Sequence, residues 1–229
     1  MARAAQEITA IIFDCDGVLV NSEEIALEIE LAFLSEAGLS FDKAEHQHRF
    51  MGVTWPDYAA GIAAEALRQT GKPLRAAFLE ELLERVHAAY EERLQPIPGM
   101  RELAAHTPQP KAVASSSHKD RLHWKLERTG LKPHFDPHIY SAEDVKRGKP
   151  APDLFLYAAE RIGAEPSTTL VIEDSAHGIK AAKAAGMIAA GFTAGGHCLA
   201  GHGAVLSEAG ADLVFASLAD LGAFLKDAG

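Results

Sequence analysis

The sequence predicts an α/β fold: a parallel sheet core covered by helices, with an all-helical domain inserted after the first strand. The run from Ile8 to Phe13 is rich in β-branched and aromatic residues and is bounded by Asp and Gly, the pattern of a buried central strand. Over residues 20–95 no strand pattern recurs and apolar residues keep helical spacing. Past the turn-rich boundary Gln95-Pro96-Ile97-Pro98-Gly99-Met100, strand and helix patterns alternate to the end, as in a parallel sheet covered on both faces.

Asn21-Ser22-Glu23-Glu24 reads as a helix start, a capping residue followed by acids in the first turn, and the helix is expected to run to Gly38. Its Ile25, Ile29, Ala32 and Phe33 recur at spacings of three and four, giving one apolar face. Phe41 to Leu94 stays helical, with breaks near Gly52-Val53-Thr54 and Thr70-Gly71-Lys72-Pro73. Thr54-Trp55-Pro56-Asp57 carries another start signal, with Pro in the first turn. Later strands are expected at Lys111 to Ala114, Ile139-Tyr140, Thr169 to Ile172, Ile188 to Gly191 and Asp212 to Phe215. Helices are expected at Arg121 to Thr129, Asp153 to Ile162, Ala176 to Ala185 and Leu218 to Lys226. The domain reading is therefore 1–19 with 96–229 as the α/β core, and 20–95 as the inserted helical domain.

The 229 residues suffice for a sizeable core. A formal charge of -10 argues against a nucleic-acid surface, because phosphate backbones are held by clustered Lys and Arg. Cys15 and Cys198 are the only two cysteines, which is too few for a disulfide framework and points to a reducing, cytoplasmic setting. The apolar run near the N-terminus stops at Asp14, too short for a signal peptide or membrane span. A protein without membrane or nucleic-acid partners, monomeric or a weak homodimer, is expected.

In parallel sheets ligands sit beyond the carboxyl ends of the strands. The first strand ends in Asp14-Cys15-Asp16-Gly17. The strand at Lys111 ends in Ser115-Ser116-Ser117 ahead of a helix whose N–H groups suit an anion. The strand at Thr169 ends in Glu173-Asp174-Ser175. Between these last two lies Arg147-Gly148-Lys149-Pro150-Ala151-Pro152-Asp153. If Asp14, Asp16, Glu173 and Asp174 share one crevice, their repulsion amounts to several kcal/mol, more than Lys149 alone offsets. A hard divalent cation relieves it, and Mg²⁺ takes a few carboxylates together with substrate phosphate oxygens. Ser115, Ser116 and Lys149 suit the remaining phosphate oxygens, so the set points to phosphoryl transfer.

Asp14-x-Asp16-Gly17 after a strand, Ser115 after the next, Lys149 in Gly-Lys-Pro-x-Pro-Asp, and Glu173-Asp174-Ser175 resemble the four ordered motifs of the haloacid dehalogenase superfamily. They are most similar to its branch holding β-phosphoglucomutase and phosphoglycolate phosphatase. The resemblance implies a Rossmann-like core with a mobile helical cap. It implies Asp14 as nucleophile through an aspartyl-phosphate, and Asp16 as general acid and base with its backbone carbonyl on Mg²⁺. Ser115 and Lys149 then hold phosphoryl oxygens, and Asp174 ligates the metal with Glu173 in support. The expected enzyme is a Mg²⁺-dependent phosphatase of a small sugar or organic-acid phosphate. The alternatives are a hexose-phosphate mutase of the β-phosphoglucomutase type and a catalytically silent relative that binds phosphorylated ligands. Mutases of the branch tend to carry a His where Ala26 falls and an Arg where Trp55 falls, and both departures weaken the mutase reading.

Other residues have two readings each. Ser115 also suits a plain helix cap, Lys149 a solvated loop, and Glu173-Asp174 a helix start. Cys15 fits core packing better than nucleophilic chemistry. His197-Cys198 and His202 lack a fourth ligand for a soft metal, so a surface loop is expected. His118-Lys119 sit either near the phosphate or in solvent. In the cap, Arg49 is a candidate for a substrate anion and Trp55 for a substrate platform. Arg49, with His46 and His48, equally suits a polar helix face, and Trp55 the cap's own core.

Overall fold

In the computed structural model, residues 7–51, 53 and 55–227 are described. Gly52 and Thr54, part of an expected helix break, lie outside the described residues, as does the side chain of His48. The elements in order are β1 (Ala10–Phe13), α1 (Ser22–Glu36), α2 (Lys43–Phe50), α3 (Trp55–Thr70), α4 (Phe78–Arg93), α5 (Met100–His106) and β2 (Lys111–Ser115). They continue through α6 (Lys119–Arg128), β3 (Ile139–Ser141), α7 (Asp153–Arg161), β4 (Thr169–Glu173) and α8 (Ala176–Ala184). β5 (Ile188–Phe192), α9 (His202–Glu208), β6 (Leu213–Phe215) and α10 (Leu218–Asp227) complete the chain, with short 3₁₀ turns at Lys132–His134, Ala142–Asp144 and Pro166–Thr168. Two helices, α5 and α9, were not expected from the sequence. Each spans only seven residues, too few for a helical period to stand out from its surroundings.

Chain contacts divide the protein into two units. One runs to Asn21 and resumes at Gln95; the other is Ser22–Leu94. In the first, six parallel strands form one sheet in the order β3-β2-β1-β4-β5-β6. The chain winds outward from β1 through β2 to β3, then returns to β1's other side and winds out through β4. The switch point of the topology thus lies beside β1, where such sheets place ligands.

β1 is flanked on both sides, so all of Ala10–Phe13 is buried. Alternation gives its two faces different work. Ile12 packs with Ala114, Val171, Phe155 and Ile179 beneath α7 and α8. Phe13 points the other way and meets Phe135 edge-on at 5.5 Å. Alanines at positions 112, 114, 181, 182 and 189 let the helices lie close on the sheet.

The second unit is helical throughout. α1 packs on α4, with Phe33 and Phe78 at 4.7 Å and Ile25, Leu34, Ile62 and Leu82 fully buried. Asn21, expected as a helix cap, accepts a hydrogen bond from the Gln95 N–H at 2.9 Å where the chain enters and leaves this unit. Among the described residues no helix is long and apolar enough to cross a membrane.

Ile12 sits at the centre of the sheet with no exposure. Ile12→Ala should cost about 2–5 kcal/mol, read as a shift of the urea unfolding midpoint at unchanged slope. A smaller loss would place the principal core elsewhere.

Candidate active site

The end of β1 delivers Asp14, whose N–H donates to the Ile172 carbonyl of β4 at 3.0 Å. Register places Glu173, the last residue of β4, beside it. Lys149 enters from the loop before α7. Its Nζ donates to Asp14 Oδ1 and to Glu173 Oε1, each at 2.6 Å, and to the Ala114 carbonyl at 3.0 Å. Those three bonds use every donor of an ammonium group. Its nitrogen also lies 4.9 Å from the centre of the Phe155 ring. Burial by itself lowers the Lys149 pKa, but Asp14 and Glu173 outweigh it and hold the group above its ordinary range.

Glu173 is fixed from its other side. Its Oε2 accepts from the backbone N–H and the hydroxyl of Ser175, both at 2.9 Å, and that hydroxyl accepts from Gly178 N–H at 3.0 Å, capping α8. A Cβ at Gly178 would stand 1.8 Å from Glu173 Oε1, so this position has no room for a side chain.

Asp174 turns back toward the loop after β1. Its buried Oδ2 accepts no hydrogen bond, although His197 Nε2 approaches to 2.8 Å. Gly17, at φ +76°, passes so close that a Cβ there would lie 1.9 Å from this oxygen. Ligand oxygens of Asp14, Glu173 and Asp174 all fall within 4.8 Å of one another. Burial, with the neighbouring acids, raises both Asp14 and Asp174 well above the ordinary carboxylate range, Lys149 opposing only in part. An all-oxygen donor set with an unbonded buried carboxylate oxygen fits a hard divalent cation. Because both oxygens of Glu173 already hold Lys149 and Ser175, Asp14 and Asp174 are the side chains suited to ligate one.

Asp16 stands apart from this cluster. The turn at Gly17, closed by Gly17 N–H to the Val20 carbonyl at 2.9 Å, carries its side chain toward the end of β2. There Ser117 Oγ donates to Asp16 Oδ2 at 2.7 Å and Ser115 Oγ approaches it at 3.3 Å. Lys125 of α6, only 4 % exposed, donates to Asp16 Oδ1 and, at 3.1 Å, to Ser117 Oγ. Two lysines therefore serve the acids, Lys149 for Asp14 and Glu173 and Lys125 for Asp16, while Asp16 still adds to the charge that raises Asp14 and Asp174.

Ser117 and Lys125 were not singled out in the sequence, whereas Ser116, which was, is exposed at the turn. A signal for Lys125 existed. Leu122, Lys125, Leu126 and Thr129 follow helical spacing, and a lysine among them stands on the buried face. For Ser117 the spacing of three serines carried no such information.

The remaining candidates separate cleanly. Cys15 is fully buried, and burial pushes its thiol up, consistent with packing. The expected surface loop at His197 is overturned. His197 is 1 % exposed against Asp174, Cys198 Sγ lies 3.3 Å from its Nε2, and His202 Nε2 is 2.6 Å from the Asp174 carbonyl. The loop folds inward because glycines at 195 and 17 leave space for the ring. His118 and Lys119 are exposed and pair with Glu143 and Asp144. In the helical unit, Arg49 pairs with Glu65 at 3.1 Å and Glu45 at 3.2 Å over the Phe50 ring, and His46 is buried between Phe41 and Phe50. Trp55 stacks on Tyr58 with 40 % of its surface exposed.

Comparison with known proteins identifies the family. A family model for haloacid dehalogenase-like hydrolases matches residues 8–186. A phosphorylated carbohydrates phosphatase of Thermotoga maritima is 32 % identical over 185 residues, 78 % of this chain and 82 % of that protein. The fructose-1-phosphate phosphatase YqaB of Escherichia coli K12 is 31 % identical over 184 residues, covering 80 % and 95 % of the two chains. Among solved structures, a haloacid dehalogenase family hydrolase of Deinococcus radiodurans R1, crystallised with phosphate and sodium, superposes with a TM-score of 0.81 at 35 % identity. That match covers 98 % of this chain and 97 % of the other.

The raised carboxyls set a sign for stability against pH. A carboxylate whose folded pKa lies above its unfolded value, near 4, leaves stability intact below that value and withdraws it as pH rises through the folded pKa. In EDTA, Asp174→Asn should therefore raise Tm relative to the natural protein, and by more at pH 8 than at pH 5. Added Mg²⁺ should raise the natural protein's Tm and move the variant's far less. A variant less stable in EDTA at both pH values would show that Asp174 is not an uncompensated charge.

Proposed function

The chain belongs to the haloacid dehalogenase-like hydrolases and is a phosphatase of that family; on that premise we propose that it hydrolyses a small sugar or organic-acid phosphate with Mg²⁺, through an aspartyl-phosphate on Asp14. The observation that carries the reading is the position of Asp14. It is a buried carboxylate at the sheet's switch point, with one oxygen fixed by Lys149 and the acids of β4 alongside.

Each residue has a task in this reading. Lys149 orients Asp14 for attack on phosphorus and offers positive charge to the phosphoryl oxygens. Ser115, at the end of β2, supplies its hydroxyl to those oxygens once that O–H turns away from Asp16. Asp14 and Asp174 hold the cation, which when bound offsets the charge of the phosphoryl group. Asp16 gives a proton to the departing alcohol and later takes one from the attacking water. The two relatives, a phosphorylated carbohydrates phosphatase and a fructose-1-phosphate phosphatase, favour a phosphorylated carbohydrate as substrate. The helical unit, Ser22–Leu94, is the cap of this reading and the place to look for substrate choice. Trp55, exposed, is the better candidate there; Arg49 would have to leave Glu65.

A panel of phosphorylated sugars and organic acids, scored for released phosphate, tests the reading. Turnover should require Mg²⁺ and stop with EDTA. Asp14→Asn should lower it by roughly 10³-fold or more while leaving the far-UV circular dichroism unchanged. Conversion of a sugar phosphate to a phosphorylated isomer without phosphate release would instead establish a mutase.

A further inference from the structure

Lys125 is a lysine in a core position. It shares the buried face of α6 with Leu122 and Leu126, at 4 % exposure, where an unpaired ammonium is strongly disfavoured. What compensates it is Asp16. Lys125 holds Oδ1 while Ser117 and Ser115 hold Oδ2, so both oxygens of that carboxylate are fixed. Lys125 also donates to Ser117 Oγ at 3.1 Å, and Ser117 is anchored in turn because its carbonyl accepts from Ser141 Oγ at 2.6 Å. Asp16 is therefore set by β2, β3 and α6, while Asp14 is set by β4 and the Lys149 loop.

We propose that Lys125 is the positioning residue of Asp16, fixing the side chain from which the leaving group draws its proton. The proposal rests on the phosphatase reading. In the step concerned, an Asp14 oxygen forms a bond to phosphorus, the ester P–O bond breaks, and the ester oxygen takes the Asp16 proton and leaves as an alcohol. Water then cleaves the aspartyl-phosphate, releasing phosphate and returning a proton to Asp16. Lys125 touches neither the phosphoryl group nor the leaving oxygen in this scheme. Its effect must pass through Asp16.

That dependence yields a signature that loss of packing does not. kcat/KM reports the first bond cleavage, and only poor leaving groups need a proton there. The test compares the natural protein with Lys125→Met on a series of aryl esters of one shape: 2,4-dinitrophenyl, p-nitrophenyl and phenyl phosphate. The loss in kcat/KM should be about tenfold or more greater for phenyl than for 2,4-dinitrophenyl phosphate. In an Asp16→Asn background, Lys125→Met should add no further leaving-group dependence. A loss equal across the series, or an added effect without Asp16, overturns the positioning role. If Lys125→Met does not fold, Lys125→Gln carries the same comparison, and failure of both to fold overturns the proposal by making the lysine a folding residue alone. A natural protein inert on every ester would take down the phosphatase reading itself, a result distinct from uniform slowing of an active enzyme.

Discussion

The cation site and the nucleophile candidate at the carboxyl edge of this sheet depend on one buried ion network, Lys149 between Asp14 and Glu173. Removing a single partner from such a pair leaves an uncompensated buried charge and typically costs 3–5 kcal/mol. The fold answers this with rigid supports on each side. Asp14 is locked by backbone pairing to β4, Glu173 by the Ser175 cap, and the cap by a glycine at 178 that has no room for a side chain. The network is also left incomplete. Asp174 brings a further buried carboxylate whose Oδ2 accepts no hydrogen bond, and that remaining charge is what a divalent cation would neutralise.

Most of this order was legible in the sequence because it rests on local pattern. Ile8 to Phe13 reads as a central strand since both its faces are apolar, and acids at strand ends stand out against that background. The alternation after Gln95 specified a parallel sheet, and parallel sheets fix where a site lies. The short helices α5 and α9 escaped, being less than two full periods long. The inward fold of the loop at His197 escaped for a different reason. It is set by close backbone approach at Gly17 and Gly195, and such space is a property of the assembled fold.

The role of Lys125 marks the boundary between these two kinds of information. Its position on an apolar helix face was visible as a local inconsistency, a charged residue where the period asks for Leu. The compensating partner was not visible, because Asp16 lies more than a hundred residues away and reaches Lys125 only after the turn at Gly17 swings it away from Asp14. Strand alternation alone would have kept the two acids together. Places where a sequence breaks its own pattern are where function is expected to be found.

Separating the two acids has a chemical consequence. A nucleophile must stay ionised and aimed at phosphorus, whereas a general acid must hold a proton at one moment and surrender it at the next. Two carboxylates in one cluster, facing one cation, would titrate as a pair and could not be assigned those tasks independently. Here Asp14 is buried against Lys149 and a cation site, while Asp16 is held by hydroxyls and a second lysine on neighbouring elements. The two stay linked through charge, since Asp16 is among the acids that raise Asp14, but each is held in place by its own lysine and its own elements of the fold. The one residue that separates Asp14 and Asp16, Cys15, packs its side chain into the core, and its carbonyl, accepting from the N–H groups of Leu19 and Val20, anchors the turn from which they diverge.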